Sequence, residues 1–428
     1  MSTALFYPAQ TPNGSPSAPR LSVSRVTLSN FRCYAALRIE PAPGFVVLTG
    51  ANGAGKTNLL EALSLLSPGR GLRNARHADI SRREDTRTAE IGGAPNRWSV
   101  AAEFATQHGP LSVSVGWAET NGERRAVRID GEPARSQAAL SEHVSMVWLT
   151  PAMDRLFVDS PAGRRRFLDR LVFAFDPAHA GRLQAYDKAR RERIRILRDE
   201  HLDDTWLSAL ERNMAERAIA IAAARLDLIE RLKRALHEET GTFPKPEIAA
   251  RGDIENLLET HPALEVEGRY LEALSKARTR DGESGTCDGV HRSDLFAKLS
   301  ANGPQAEQAS TGEQKAILIS LILAHGRMLA RLWGRVPVLL LDEIAAHLDR
   351  ARRAALFDAI SELGAQTWIT GTDESLFSPL VGRAERSVCR GPRKFASTAN
   401  LTHHATRYTP HRLLLAASSS RDSHATEL

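Results

Sequence analysis

The chain has 428 residues, a formal net charge of +6 and 42% hydrophobic residues. That length can bury a large core, as one large domain or two intimate ones. Three widely separated cysteines, Cys33, Cys287 and Cys389, argue against a disulfide framework or a zinc site, and the basic balance suits an anionic partner.

Residues 1–20 are rich in Pro, Ser and Ala and read as a flexible tail. They lack the basic start and apolar stretch of a secretory signal. No apolar run approaches the ~20 residues that cross a bilayer, so a soluble cytoplasmic protein without a membrane partner is expected. Leu21, Val23, Val26 and Leu28 alternate with polar residues as a half-buried strand does, and residues 37–39 read as its partner.

Residues 45–49 form a short apolar strand. Gly50-Ala51-Asn52-Gly53-Ala54-Gly55-Lys56-Thr57 follows, then the helix-forming residues 58–63. Strand, glycine loop, Lys-Thr and helix together make a phosphate-binding loop. The glycines let backbone N–H groups turn around an anion, and the helix N-terminus adds its partial positive charge. Lys56 can reach the β- and γ-phosphates of ATP, and Thr57 can ligate Mg²⁺.

Residues 69–77 are basic and glycine-broken, either a solvated connector or a nucleotide or nucleic-acid contact. Alternating strands are expected at 98–104, 111–117 and 124–129, with a hairpin signal at Asp130-Gly131. Residues 144–149 read as a strand buried on both faces. Residues 21–150 are therefore expected to be one ATPase lobe built on a mixed sheet.

The character changes at Pro161. Helical patterns run over 180–199 and 205–237, the second with an apolar stripe from Leu207 to Ala235. A turn at 199–204 would let these helices run back to back as an arm of ~30–45 Å, within a helical insertion at 151–285. Residues 286–395 return to α/β character. Helices are expected at 313–332 and 350–363, and strands at 337–341 and 366–370. Residues 396–428 read as a tail.

The apolar strand Pro337-Val-Leu-Leu-Leu ends in Asp342-Glu343, where open α/β sheets place ligands. Asp342 would hold Mg²⁺ and Glu343 would act as general base on the attacking water, with Lys56 as the third catalytic group. Ser310-Thr-Gly312-Glu313 precedes a helix, as a second anion-binding N-terminus or a plain N-cap. The order of loop, insertion, Ser-x-Gly-Glu helix, acidic strand and Asp349 resembles the ATP-binding-cassette type of ATPase. In that type the Ser310 loop serves the other subunit's ATP, Asp349 matches the D-loop, and Gly371-Thr-Asp373 stands where a histidine is common.

Asn30-Phe-Arg-Cys-Tyr34, the loop through Ala62, Ser160–Asp169 with Arg-Arg-Arg-Phe-Leu-Asp, Gly289-Val-His-Arg-Ser-Asp294 and Ser310–Gln314 resemble the RecF family of bacterial recombination-repair ATPases, in family order over most of residues 21–390. Val290 and Ser293 depart from its pattern. The resemblance implies an α/β head of SMC-like ATPases with a short helical arm, and ATP-dependent homodimerisation. It implies binding to duplex and single-stranded DNA, work with RecO and RecR in loading recombinase at gaps, slow ATP turnover, and roles in replication and the SOS response at the nucleoid.

The insertion's arginines Arg164, Arg165, Arg166, Arg190 and Arg191, with Arg193, Arg195 and Arg198, are expected to form a phosphate-tracking surface. A solvated helix face with Asp187–Arg191 and Arg195–Asp199 pairs is the plainer alternative. His291 and Arg292 read equally as packing or contact residues. A transporter-type ATPase and a nuclease fused to an ATPase head are the competing classes. The first would need a membrane partner and no basic arm, the second an added carboxylate cluster.

Overall fold

A computed structural model describes residues 21–82, 97–122, 124–199, 203–239, 241–380, 384–389 and 395–398. The two expected tails, apart from residues 396–398, and residues 200–202 of the expected arm turn lie outside these. The central sheet runs in the order Phe395–Thr398, Ala384–Cys389, Phe45–Thr49, Thr367–Gly371, Val338–Leu341, Met146–Leu149. All neighbours are parallel except the outermost pair, Phe395–Thr398 with Ala384–Cys389. The inner strands read as continuous apolar runs because both faces are covered. Phe45, Val47, Leu339 and Leu341 point into one core, while Val46, Leu48, Val338 and Leu340 point into another.

A second, antiparallel sheet has the order Tyr34–Ile39, Ser22–Phe31, Arg97–Thr106, Gly109–Ala118, Ala126–Ile129, Glu132–Pro133. Its last turn holds Asp130 at φ 49° and Gly131 at φ 84°, the positive angles of a type I′ hairpin. The single mixed sheet expected over 21–150 is thus two sheets. Strands apolar on both faces join the C-terminal strands, and strands that alternate stack on them with one face. The helix Lys56–Ser64 shares their core with Val100, Trp148 and Trp368.

The other face of the central sheet is covered by Thr311–Trp333, Arg350–Leu363 and Pro161–Phe173. Thr311–Trp333 has the length and mean hydropathy of a membrane span, although no apolar run of that kind was expected. Some 72% of its most apolar window is buried inside the fold, as in a core helix. A small sheet pairs Glu247–Arg251 with Asp294–Lys298, across the division expected at 285. The strand Phe395–Thr398 likewise crosses the one expected at 395.

The arm is built from His179–Leu197, Asp204–His237 and Ala263–Lys276. The long helix has 34 residues, about 51 Å at 1.5 Å per residue. Leu207, Met214 and Ile221 pack into the arm core against Tyr186, Val266 and Tyr270. Leu228, Leu232 and Leu236 pack into the head core against Leu168 and Leu171. One helix therefore feeds two cores.

Candidate nucleotide-binding site

The phosphate-binding loop leaves the carboxyl end of Phe45–Thr49 and enters the helix Lys56–Ser64. Ala51, Asn52 and Gly53 are exposed at its mouth, Gly50 is half-buried, and Ala54, Gly55 and Lys56 are buried. Gly53 holds φ 78° and Gly55 φ 103°, angles that favour glycine. A Cβ on Gly55 would also lie 2.5 Å from the Tyr34 hydroxyl oxygen. That hydroxyl donates to the Gly55 carbonyl at 3.0 Å and clamps the loop to the antiparallel sheet. Lys56 Nζ donates to the carbonyls of Gly50 and Ala51 at 2.7 and 3.0 Å. An ammonium has three N–H donors, so one remains for an anion.

The Thr57 hydroxyl meets the Asp342 carboxylate, at 2.9 Å from Oδ1 and 3.0 Å from Oδ2. These residues are 285 positions apart; Thr57 lies in the first turn of the helix after Phe45–Thr49 and Asp342 follows Val338–Leu341, the two strands that flank Thr367–Gly371. A hydroxyl and a carboxylate form an all-oxygen donor set that suits a hard cation such as Mg²⁺. Thr370, fully buried, donates to Asp342 Oδ1 at 2.7 Å and accepts the Glu343 N–H at 2.9 Å. Glu343 is half-buried and adopts a left-handed backbone, φ 52°, a conformation that non-glycine residues keep only where surrounding contacts hold it.

Ser310 and Glu313 form a reciprocal capping box at the start of Thr311–Trp333. The Ser310 N–H and hydroxyl donate to Glu313 at 2.8 and 2.7 Å, which holds the Glu313 carboxyl below its usual range. Among the described residues no hydrogen bond joins this segment to residues 50–57. Asp349 caps the helix Arg350–Leu363 by accepting the Arg352 N–H at 2.8 Å. A Cβ on Gly312 would lie 3.4 Å from Arg352 Nη1, so the two helix starts adjoin.

Several insertion arginines are not where a phosphate-tracking surface needs them. Arg164 donates to Asp294 through Nε and Nη2 at 2.7 Å each, and to the Phe157 and Asp159 carbonyls. Arg165 is half-buried and donates to the Ser293 carbonyl. Arg193 is buried between Glu211, Asp281 and the Leu274 carbonyl. The charges of Arg164 and Arg193 are committed to carboxylates inside the protein, which corrects the expectation for these two. Arg190 is half-buried, with the Asp187 carboxylate at 3.5 Å. Arg191 donates to the Asp187 carbonyl, and Arg195 pairs with Glu192. Arg166 and Arg191 are exposed, with no ion pair among the described residues.

His291 packs, its Nδ1 2.9 Å from the Tyr186 hydroxyl, whereas Arg292 is exposed and pairs with Asp288. Sequence reasoning missed Thr370 and the clamping role of Tyr34. A hydroxyl residue ending a buried parallel strand was the available signal for Thr370. For Tyr34 there was none, because its partner is a backbone carbonyl.

The RecF/RecN/SMC N terminal domain matches residues 22–384. The chain is 48% identical over 367 residues to the DNA replication and repair protein RecF of Mesorhizobium japonicum, covering 85% of this chain and 94% of that protein. It is 45% identical to the RecF protein of Rhizobium meliloti, covering 86% and 96%. Two solved structures share the fold. A recombination mediator protein RecF with ATP gives a TM-score of 0.77 at 22% identity, over 90% of this chain and 100% of that one. A RecF–ATPrS structure gives 0.74 at 23%, over 87% and 97%. The motif order, the two-sheet head with its short arm, and these matches agree: the chain belongs to the RecF family.

Proposed function

We propose that this protein is an ATP-switched, DNA-binding dimer of recombinational repair and replication maintenance. The observation that carries the reading is the meeting of Thr57 and Asp342 beneath a loop shaped for phosphate. Lys56 and the loop amides hold the phosphates, and Thr57 and Asp342 hold Mg²⁺, which supplies charge neutralisation when bound. Glu343 is the base that orients the attacking water. Among the described residues the capping box at Ser310 makes no hydrogen bond to residues 50–57 of its own chain, which suits service to a partner's nucleotide. Two chains would then close around two ATP molecules, and hydrolysis would reopen them.

DNA is the partner that the relatives' names and the basic balance favour. Within the insertion, Arg166 and Arg191 are among the exposed side chains that can meet phosphate. Action with RecO and RecR, binding of single-stranded and duplex DNA, recombinase loading, SOS induction and a nucleoid location rest on family membership. The Glu343→Gln variant tests the switch. It is expected to accumulate as an ATP-bound dimer on gapped duplex, read by light scattering after size exclusion. A wild-type chain that stays monomeric with a non-hydrolysable analogue, Mg²⁺ and gapped duplex overturns the proposal.

A further inference from the structure

We infer that Thr370 is a positioning residue that presets both acidic residues of the site from the strand lying between the phosphate-loop strand and the strand that ends in Asp342. The inference rests on the nucleotide-site reading above and deepens it. The strand order is Phe45–Thr49, Thr367–Gly371, Val338–Leu341. The outer two deliver the phosphate loop and Asp342. The middle one delivers a single hydroxyl to the point where they converge.

That hydroxyl has one proton and two lone pairs, and the structure gives the proton and one lone pair a partner each. The proton goes to Asp342 Oδ1 at 2.7 Å, and a lone pair takes the Glu343 N–H at 2.9 Å. The first bond sets the carboxylate's rotation, so that Thr57 reaches both of its oxygens. The second holds the backbone of Glu343 in its left-handed turn, and that turn decides where the Glu343 side chain points. Valine is the ordinary occupant of a fully buried parallel strand. Burying a hydroxyl is unfavourable unless it is bonded. Here both bonds run to the acidic pair, and the neighbours Trp368 and Ile369 are apolar and fully buried.

The test compares Thr370→Val, Thr370→Ser and Thr370→Cys in the full chain. The readouts are Mg²⁺ titration of a fluorescent ATP analogue, its metal-free binding, and steady-state hydrolysis. Loss of an outer partner of a metal ligand typically lowers metal affinity or activity ~10–100-fold. Thr370→Val is expected to raise the half-saturating Mg²⁺ concentration about tenfold and to lower kcat by ~10–100-fold. Metal-free binding should stay within about twofold, because the loop is untouched. Thr370→Ser should restore Mg²⁺ response and kcat to within about threefold, and Thr370→Cys, a weak donor, should fall between.

A folded Thr370→Val chain whose Mg²⁺ titration overlays the wild type overturns the inference. Should that variant not fold, a Thr370→Cys chain indistinguishable from wild type overturns it equally. A wild-type chain with no Mg²⁺-dependent nucleotide binding would instead remove the nucleotide reading itself.

Discussion

At the candidate nucleotide site, eight consecutive residues, 50–57, bring together a glycine loop, the Lys56 ammonium and the Thr57 hydroxyl. At the arm junction, Arg225 gathers Asp169 from 56 positions away, Glu255 from 30 and the Val290 carbonyl from 65. Asp169 also receives His179 at 2.9 Å, and Ser293 donates to Glu255 at 2.9 Å. The first region keeps donors free for a ligand. The second spends its charges on itself, and burial makes each of them depend on its partners. Arginine content alone therefore does not mark a nucleic-acid surface.

The sharpest way to break this contrast is to remove one member from each region. Arg225→Met leaves Asp169 and Glu255 buried without their cation, and should cost ~3–5 kcal/mol in urea unfolding. The folded fraction should keep its affinity for an ATP analogue. Lys56→Ala should do the reverse, with little change in urea midpoint and a loss of about 100-fold or more in analogue binding, roughly 2.7 kcal/mol. Equal effects of the two variants on both readouts would erase the distinction.

Acid should act on the packed side. His325 is fully buried with Nε2 2.9 Å from the Leu171 carbonyl, and burial pushes its pKa from 6.5 to about 4. His291, beside Tyr186 and Arg190, is pushed to about 4 chiefly by burial. Both folded values lie below the unfolded one, so the unfolded chain takes up protons first. Their contribution is present above pH ~6.5 and is lost as pH falls from there towards 4. For His325 the full shift is worth on the order of 3 kcal/mol. Urea midpoints against pH should fall over that window, and His325→Gln should flatten the fall.

Smaller effects sharpen the division among the arginines. Arg164→Met should cost ~1–3 kcal/mol in urea unfolding, by stranding Asp294 and two carbonyls. Arg191→Ala should shift stability by no more than ~0.5 kcal/mol. If Arg191 meets phosphate, its loss should lower the slope of log K against log salt by about 1 in filter binding. A stability loss at Arg191 matching that at Arg164 would place the two in one class.

Strands, helices and the loop were legible because each is written in neighbouring residues: period two, period three to four, or a fixed glycine spacing. The Asp342-Glu343 pair was legible by its place after a buried strand. Sheet membership was harder to read. Residues 45–49 and 97–106 differ in pattern, continuous against alternating, but the partners of 45–49 lie more than 300 positions away and could not be read locally. The strand Ala384–Cys389, beside the loop strand, was missed altogether. The fate of Arg164 and Arg193 was illegible because Asp294 and Asp281 stand 130 and 88 positions away.

The helix Asp204–His237 has one further consequence, because its two halves are anchored in separate cores. A rigid tilt of this helix would pivot where it passes between the cores, at Arg225. From there to Leu207 is about 27 Å at 1.5 Å per residue. A tilt of about 5° at the fulcrum would sweep the far end through about 2 Å, with no joint along the way to absorb it.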